Sequence, residues 1–288
     1  MSRRGVLATD RLTLGFIVLF AAILLAHAGE VASFPWLLLG DALVVVLVLL
    51  LPRLPAEGVV ADVVGGGYPL ILASAFYWQL GDMHLDMGRL HDALVQRWEL
   101  AVFGSQVSAS WHVRAPYPLL SAVLHLCYGA YYWILLIVPL WLLIRGKREA
   151  FRRAVFCSAL AMYTCFLVFG VFPVAGPYFV FPAPTGAVVA NWPARYVYFM
   201  LGTGASIGTA FPSSHIAASW VTVYAAWRDA RRLALVLAPV AVGLALGTVY
   251  GQFHYAVDAL AGALLAVVLM AAADPLRAAL EGKPRPAR

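Results

Sequence analysis

Ala154-Val155-Phe156-Cys157-Ser158-Ala159-Leu160-Ala161-Met162-Tyr163-Thr164-Cys165-Phe166-Leu167-Val168-Phe169-Gly170-Val171-Phe172-Pro173 runs for twenty residues without a charge. As a helix it is about 30 Å long, the thickness of a bilayer's hydrocarbon core. Arg152 and Arg153 stand just before it and Pro173 closes it. Working outward, similar apolar stretches lie at 12–27, 35–52, 61–81, 118–144, 211–227, 233–250 and 255–273. The composition agrees: 63% of the 288 residues are hydrophobic and 12% charged, with mean hydropathy +0.84. Soluble domains hold about 25% charged residues, so a soluble enzyme, a disordered chain and a disulfide-stapled secreted domain are all excluded. The expected fold is all-α, a polytopic membrane helical bundle of about eight transmembrane helices.

The formal charge is +6. In a soluble chain that would suggest nucleic acid; here its distribution assigns it to membrane topology. With both termini inside, the inner segments hold 16 of the 20 basic residues and the outer segments only Arg89, Arg97, Arg114 and Arg195. This is the positive-inside bias, and it requires an even number of spans. Ala26-His27-Ala28 matches a signal-peptidase pattern, but a multispan protein usually keeps its first helix. Both termini are therefore expected in the cytoplasm. The alanine-rich, Arg-over-Lys composition points by association to a bacterial inner membrane with periplasmic chemistry.

Residues 1–60 are expected to hold two N-terminal transmembrane helices, 61–275 a catalytic core, and 276–288 a basic cytoplasmic tail. Within the core, Asp82, His84, Asp86, Asp92, Arg97 and Glu99 alternate with Leu85, Leu90, Leu94, Trp98 and Leu100. The pattern suggests an interfacial helix near 84–100 on the outer surface; the competing interpretation is a solvated connector. Residues 175–210 are rich in Gly, Pro and aromatics with Arg195 as their one charge, an outer loop too apolar to stand in water. Cys127, Cys157 and Cys165 all lie within spans without C-x-x-C spacing, so neither a disulfide nor a metal site is expected.

Two of the seven histidines have suggestive neighbours. His215 sits in Phe211-Pro212-Ser213-Ser214-His215, at the outer start of one span. His254 sits in His254-Tyr255-Ala256-Val257-Asp258, at the outer start of another. His254 and Asp258 are four apart and share a helix face, and an ionisable residue inside a span points to function. The topology brings both histidines to one depth on one side. Such a set suits nucleophilic catalysis at phosphorus, with His254 attacking, Asp258 orienting it and His215 protonating the leaving oxygen. Ser213, Ser214 and the free N–H groups of the helix start offer a cradle for phosphate oxygens. A metal site of two histidines and one aspartate lacks further ligands at the usual spacing. A serine hydrolase lacks G-x-S-x-G.

These two motifs together, His254-Tyr255-Ala256-Val257-Asp258-Ala259-Leu260-Ala261-Gly262 being the second, resemble the type 2 phosphatidic acid phosphatase superfamily. Within it, the chain looks most similar to the inositol phosphorylceramide synthase branch. Phe103-Gly104 before Trp111, Tyr128-Gly129-Ala130-Tyr131-Tyr132 and Phe172-Pro173-Val174-Ala175-Gly176-Pro177 extend the resemblance over roughly 85–275. It implies a six-helix phosphatase-type core, the third to eighth spans here, and a phosphohistidine mechanism without metal or cofactor at the outer surface. By motif position His254 is the nucleophile, Asp258 its orienting carboxylate, His215 the acid/base and Ser213 a phosphate holder.

The chain departs from the superfamily where its cations should be. No K-x6-R-P lies in 175–210, and the arginine position six before His254 is Thr248. Of the outward cations, Arg195 and Arg114 are the best placed to substitute. A site with few cations suits a singly charged diester better than a phosphomonoester. The expectation is an integral membrane phosphotransferase acting on a phospholipid donor and a lipid or polyol acceptor in the bilayer. A membrane lipid phosphatase is the alternative, and a lipid transporter or scramblase reusing the fold is the alternative outside enzymes.

Overall fold

The computed structural model describes residues 3–56 and 58–282. In chain order the helices are α1 (Ala8–Ala26), α2 (Phe34–Leu50), α3 (Val59–Met87), α4 (Asp92–Phe103), α5 (Val107–Arg114), α6 (Pro118–Gly129), α7 (Tyr131–Ile144), α8 (Arg148–Val171), α9 (Pro177–Val180), α10 (Trp192–Gly204), α11 (Ser214–Asp229), α12 (Arg231–Tyr250) and α13 (Ala256–Glu281). Among the described residues there is no strand, only the isolated bridges Arg3–Pro55 and Val174–Thr209. The protein is an all-α helical bundle integral to a membrane.

Among the described residues, five helical stretches are long and apolar enough to cross a bilayer: Ala8–Ala26, Phe34–Arg53, Arg148–Val171, Arg231–Tyr250 and Ala256–Glu281. α6 and α7 make a sixth when taken together, with a 47° bend between them. The two remaining apolar stretches are also helices, α3 and α11. α3 is 29 residues long, with Gly65-Gly66-Gly67 and Pro69 inside it. α11 has only 16 residues, about 24 Å of helix, and its buried face is Ala217, Ala218, Ser219, Thr222, Ala225 and Ala226.

α8 is the central helix, packed against α1, α3, α7, α11 and α13. Its small residues Ala154, Ser158, Ala159 and Ala161 are buried and let neighbouring backbones approach closely. Ser158 and Thr222 hydroxyls share a hydrogen bond of 2.6 Å across the α8–α11 seam. Phe16 of α1 stacks on Tyr163 of α8 with ring centroids 4.3 Å apart. On the outside Trp36, Leu39, Leu43, Leu47 and Leu50 of α2 stay exposed, as a lipid-facing helix requires.

One end of the bundle is tied by ion pairs: Arg153 with Asp229, Arg228 with Asp274, Arg277 with Glu149, Arg148 with Asp62 at 2.9 Å and Arg4 with Asp10 at 2.8 Å. α11 and α13 begin at the opposite end, where α3, α8 and α12 finish.

Three segments differ from the sequence expectation. The helix expected near 84–100 is two pieces: α3 continues to Met87, Gly88 ends it at φ +59°, and α4 starts at Asp92. The loop expected over 175–210 is largely ordered as α9, a 3-10 turn at Gly186–Val188 and the 13-residue α10. Asn191 explains the last of these, since its side chain accepts from Ala194 N–H at 3.0 Å and caps the helix. The segment expected as a tail from 276 begins as the last turns of α13; residues 283–288 lie outside the described residues.

Candidate active site

Two helix starts make the centre. The Ser213 N–H donates to the Asp258 carbonyl at 3.0 Å and locks the beginning of α11 to the beginning of α13. Gly262 allows that approach, because a Cβ there would lie 2.5 Å from the Ser213 carbonyl oxygen. Between α12 and α13 the chain doubles back: the N–H groups of Phe253 and His254 both donate to the Thr248 carbonyl, at 2.8 and 3.0 Å.

His254 is thereby turned into the bundle and buried. Its Nδ1 lies 2.9 Å from the Ala210 carbonyl. A carbonyl only accepts, so the proton resides on Nδ1 and Nε2 carries the lone pair. That Nε2 faces His215 Nδ1 at 3.4 Å. Asp258 Oδ2 is 3.7 Å from His254 Nδ1 and accepts the Tyr255 N–H at 2.8 Å, a capping arrangement for α13. The Ala210 carbonyl is thus the nearer orienting group and Asp258 the charged one behind it.

His215 lies between two rings. Tyr128 stacks on it with centroids 5.1 Å apart and Tyr131 tilts over it at 4.3 Å. The Tyr128 hydroxyl is 3.3 Å from His215 Nε2. The bend between α6 and α7 falls between these two tyrosines and brings both onto one imidazole.

A pocket of about 40 Å³ touches both histidines, with Thr209, Ala210, Tyr178 and Phe253 in its wall. A second cavity of about 240 Å³ adjoins it through Tyr77, Tyr128 and His215, and is rich in aromatics. Trp78 and Tyr132 in its wall are more than half exposed, at 68 and 57%, and Tyr196 is half exposed. It therefore reaches the protein surface.

A family model described as the PAP2 superfamily matches residues 93–272. The chain belongs to the PAP2 superfamily. The match runs from α4 into α13 and includes both histidine motifs, while α1, α2 and α3 precede it. No curated protein and no solved structure matches the chain. Membership makes this a phosphatase-type lipid enzyme.

Two of the phosphate-holding candidates of this PAP2 chain are at the centre, in different ways. Ser214 lines the larger cavity. Ser213 is fully buried beside Gly262, with its hydroxyl free of any partner. Arg195 and Arg114 are not brought in. Arg195 is exposed and donates to the Ala190 carbonyl at 2.9 Å, and Arg114 is exposed at the end of α5. α10 does line the larger cavity, through Tyr196, Val197, Met200 and Leu201, but neither arginine is in the wall of either cavity. Thr248 is buried and spends its hydroxyl on the Ala245 carbonyl at 2.7 Å. Among the described residues, neither cavity has a lysine or arginine in its lining. Replacing Arg195 and Arg114 together by alanine is expected to leave turnover within about twofold, as for surface positions generally; a large drop in kcat/KM would show that one of them reaches the substrate.

The sequence did not single out α4 as part of the site, yet this helix backs it. Asp92 accepts from the N–H groups of Ala175 and Gly176 at 2.8 and 2.9 Å and from the Tyr255 hydroxyl at 3.0 Å. Gln96 donates to that hydroxyl at 3.0 Å. Glu99 is fully buried and accepts from Val107 N–H at 2.9 Å and Val257 N–H at 3.2 Å, so it caps both α5 and α13. Burial pushes the Glu99 carboxyl up from its ordinary value, against the pull of the N–H donors of Val257, Ser108 and Val107. The spacing 92, 96, 99 is a helical stripe and was the available signal. The stripe points inward, and Leu100, Val102 and Phe103 face out.

Proposed function

We propose that this PAP2 protein is a lipid phosphotransferase, similar to inositol phosphorylceramide synthases, moving a phospho-headgroup from a phospholipid donor to a lipid or polyol hydroxyl through a phosphohistidine. The observation that carries this reading is the charge of the site. The paired histidines are backed by Asp258, Asp92 and Glu99, and among the described residues no lysine or arginine lines the cavities. A second phosphate charge about 6 Å from one carboxylate costs about 3 kcal/mol at an effective dielectric constant of about 20. That is about a hundredfold in favour of the singly charged diester over a dianionic monoester.

In the first half-reaction His254 Nε2 attacks phosphorus and the bond to the diacylglycerol oxygen breaks, with a proton passing from His215 to that oxygen. In the second, the acceptor hydroxyl gives its proton to His215, its oxygen attacks phosphorus and the P–N bond breaks. The 3.4 Å contact between the rings is too short to span phosphorus and a leaving oxygen in line, so on this reading the phosphoryl group parts the two rings on binding. The aromatic cavity beside His215 supports a lipid alcohol as the exchanging partner and disfavours water. The basic, ion-paired end supports a cytoplasmic location for the termini, with the histidines at the periplasmic face of a bacterial inner membrane.

Asp41 and His125 are ionisable groups inside apolar stretches, as a transporter would need, and both have local partners. Asp41 accepts from Gln79 at 3.2 Å, and His125 Nδ1 faces the Ser121 carbonyl at 2.7 Å. Neither lines the cavity.

The test is lipid mass spectrometry on purified protein in mixed micelles, with phosphatidylinositol with and without ceramide, and phosphatidic acid in parallel. Acceptor-dependent transfer of phosphoinositol is expected, with phosphatidic acid turned over about a hundredfold more slowly. Brisk phosphate release from phosphatidic acid alone would make the enzyme a phosphatase. Lipid movement undiminished in His254→Ala would make it a transporter.

A further inference from the structure

We propose that Asp92 is a positioning residue for His254, holding from one carboxylate both ends of the hydrogen bond that fixes the imidazole. The proposal rests on the reading of His254 as nucleophile. The first end runs through the backbone. Asp92 takes the N–H groups of Ala175 and Gly176. Val174, the residue before them, pairs with the segment carrying Ala210: the Val174 N–H donates to the Gly208 carbonyl at 3.3 Å and the Ala210 N–H to the Val174 carbonyl at 2.9 Å. The Ala210 carbonyl then accepts from His254 Nδ1. The second end runs through Tyr255, covalently next to His254, whose hydroxyl donates to the same Asp92 carboxylate.

The carboxylate is suited to this task and an amide is not. Asp92 is buried and receives three donors on two oxygens, with two of them N–H groups on adjacent residues. An asparagine would turn an NH2 toward one of those N–H groups and lose that bond. No ion pair accounts for the charge among the described residues; the three donors do. The two segments that Asp92 joins are the ones that meet at His254 Nδ1.

The consequence is a fixed tautomer. With the Ala210 carbonyl held in place, the proton stays on Nδ1 and Nε2 remains the nucleophile. Loosening either arm lets the ring turn and the proton move to Nε2, which removes the attacking lone pair without touching the substrate.

Two variants test this, Asp92→Asn and Tyr255→Phe, each read three ways: thermal melting in detergent, the split between kcat and KM, and nitrogen-15 NMR of labelled histidine without substrate. For Asp92→Asn the expectation is kcat lower by about tenfold with KM within about twofold, and a new Nε2-protonated population of His254. Tyr255→Phe, which keeps the backbone arm, is expected to show the same signature in smaller measure. The two losses should be less than multiplicative in the double variant, because they share one carboxylate. An unchanged His254 tautomer in the folded variants overturns the proposal, as does a loss confined to KM or to melting temperature. If the wild-type protein transfers no headgroup at all, the proposed function fails, while the NMR readout still decides the role of Asp92.

Discussion

His254→Ala is expected to lower headgroup transfer by about 10⁴-fold or more while leaving the melting temperature nearly unchanged. Removal of a covalent nucleophile from a preorganised site has effects of this order, and the ring is not a packing element that alanine would undo at large cost. Its Nδ1 bond goes to one carbonyl and its Nε2 contact to one imidazole; the chain reversal that carries it is made by the Thr248 carbonyl and survives the change. His215→Ala is expected to differ in kind. Loss of a general acid costs about 10²–10⁴-fold with a lipid donor, whose alkoxide needs a proton to leave. With a nitrophenyl phosphodiester, whose leaving group needs none, His215→Ala should recover a burst of nitrophenol and accumulate phosphohistidine, whereas His254→Ala should not. Equal activity of both variants on both donors would dispose of the division of labour. Rapid transfer by His254→Ala would dispose of the covalent intermediate.

The legible part of this molecule was the part encoded locally. Hydropathy runs and the placement of arginines mark the helices because a span must satisfy its backbone within itself. The two histidine motifs are legible because each is five or so residues at a helix start, where spacing alone decides which side chains share a face. The cation shortage was legible at Thr248 and stands, whereas Arg195 and Arg114 could be offered as substitutes only because sequence gives sidedness without position. The backing of the site was hidden for a related reason. Asp92 and Glu99 read as the wet face of an interfacial helix, since charged residues are ordinarily exposed. Apart from the nearby Val107 and Ser108 N–H groups on Glu99, their donors lie about 80 and 160 positions away, at Ala175, Gly176, Tyr255 and Val257. No periodicity reports a partner at that distance, and the polarity of α4 faces the reverse of the expected way. The bend between α6 and α7 was equally silent: 118–144 is one apolar run, and only the closure of Tyr128 and Tyr131 on His215 reveals what the break does.

Gly262→Ala is expected to cost about 10²-fold in kcat, although residue 262 touches no substrate and alanine is the better helix former. The added Cβ would lie 2.5 Å from the Ser213 carbonyl oxygen, 3.1 Å from its Cβ and 3.2 Å from its nitrogen. Two of these are backbone atoms, and the nitrogen is already committed to the Asp258 carbonyl at 3.0 Å, so no side chain can swing away to relieve the contact. Ordinary van der Waals separation requires α13 to retreat from Ser213 by roughly 1 Å. That movement pulls His254 and Asp258, at the start of α13, away from His215, at the start of α11. A displacement of about 1 Å in a reacting pair is enough for a hundredfold loss, and overpacking of this kind costs about 1–3 kcal/mol of stability. The control is Gly40→Ala in α2, where a Cβ meets nothing within 4 Å; there the same substitution should raise stability by up to about 1 kcal/mol through helix propensity and leave turnover alone. Wild-type kcat in Gly262→Ala would mean that the registry of the two helix starts is not what aligns the histidines, and the alignment would then have to come from the Ala210 and Tyr255 side of His254 alone.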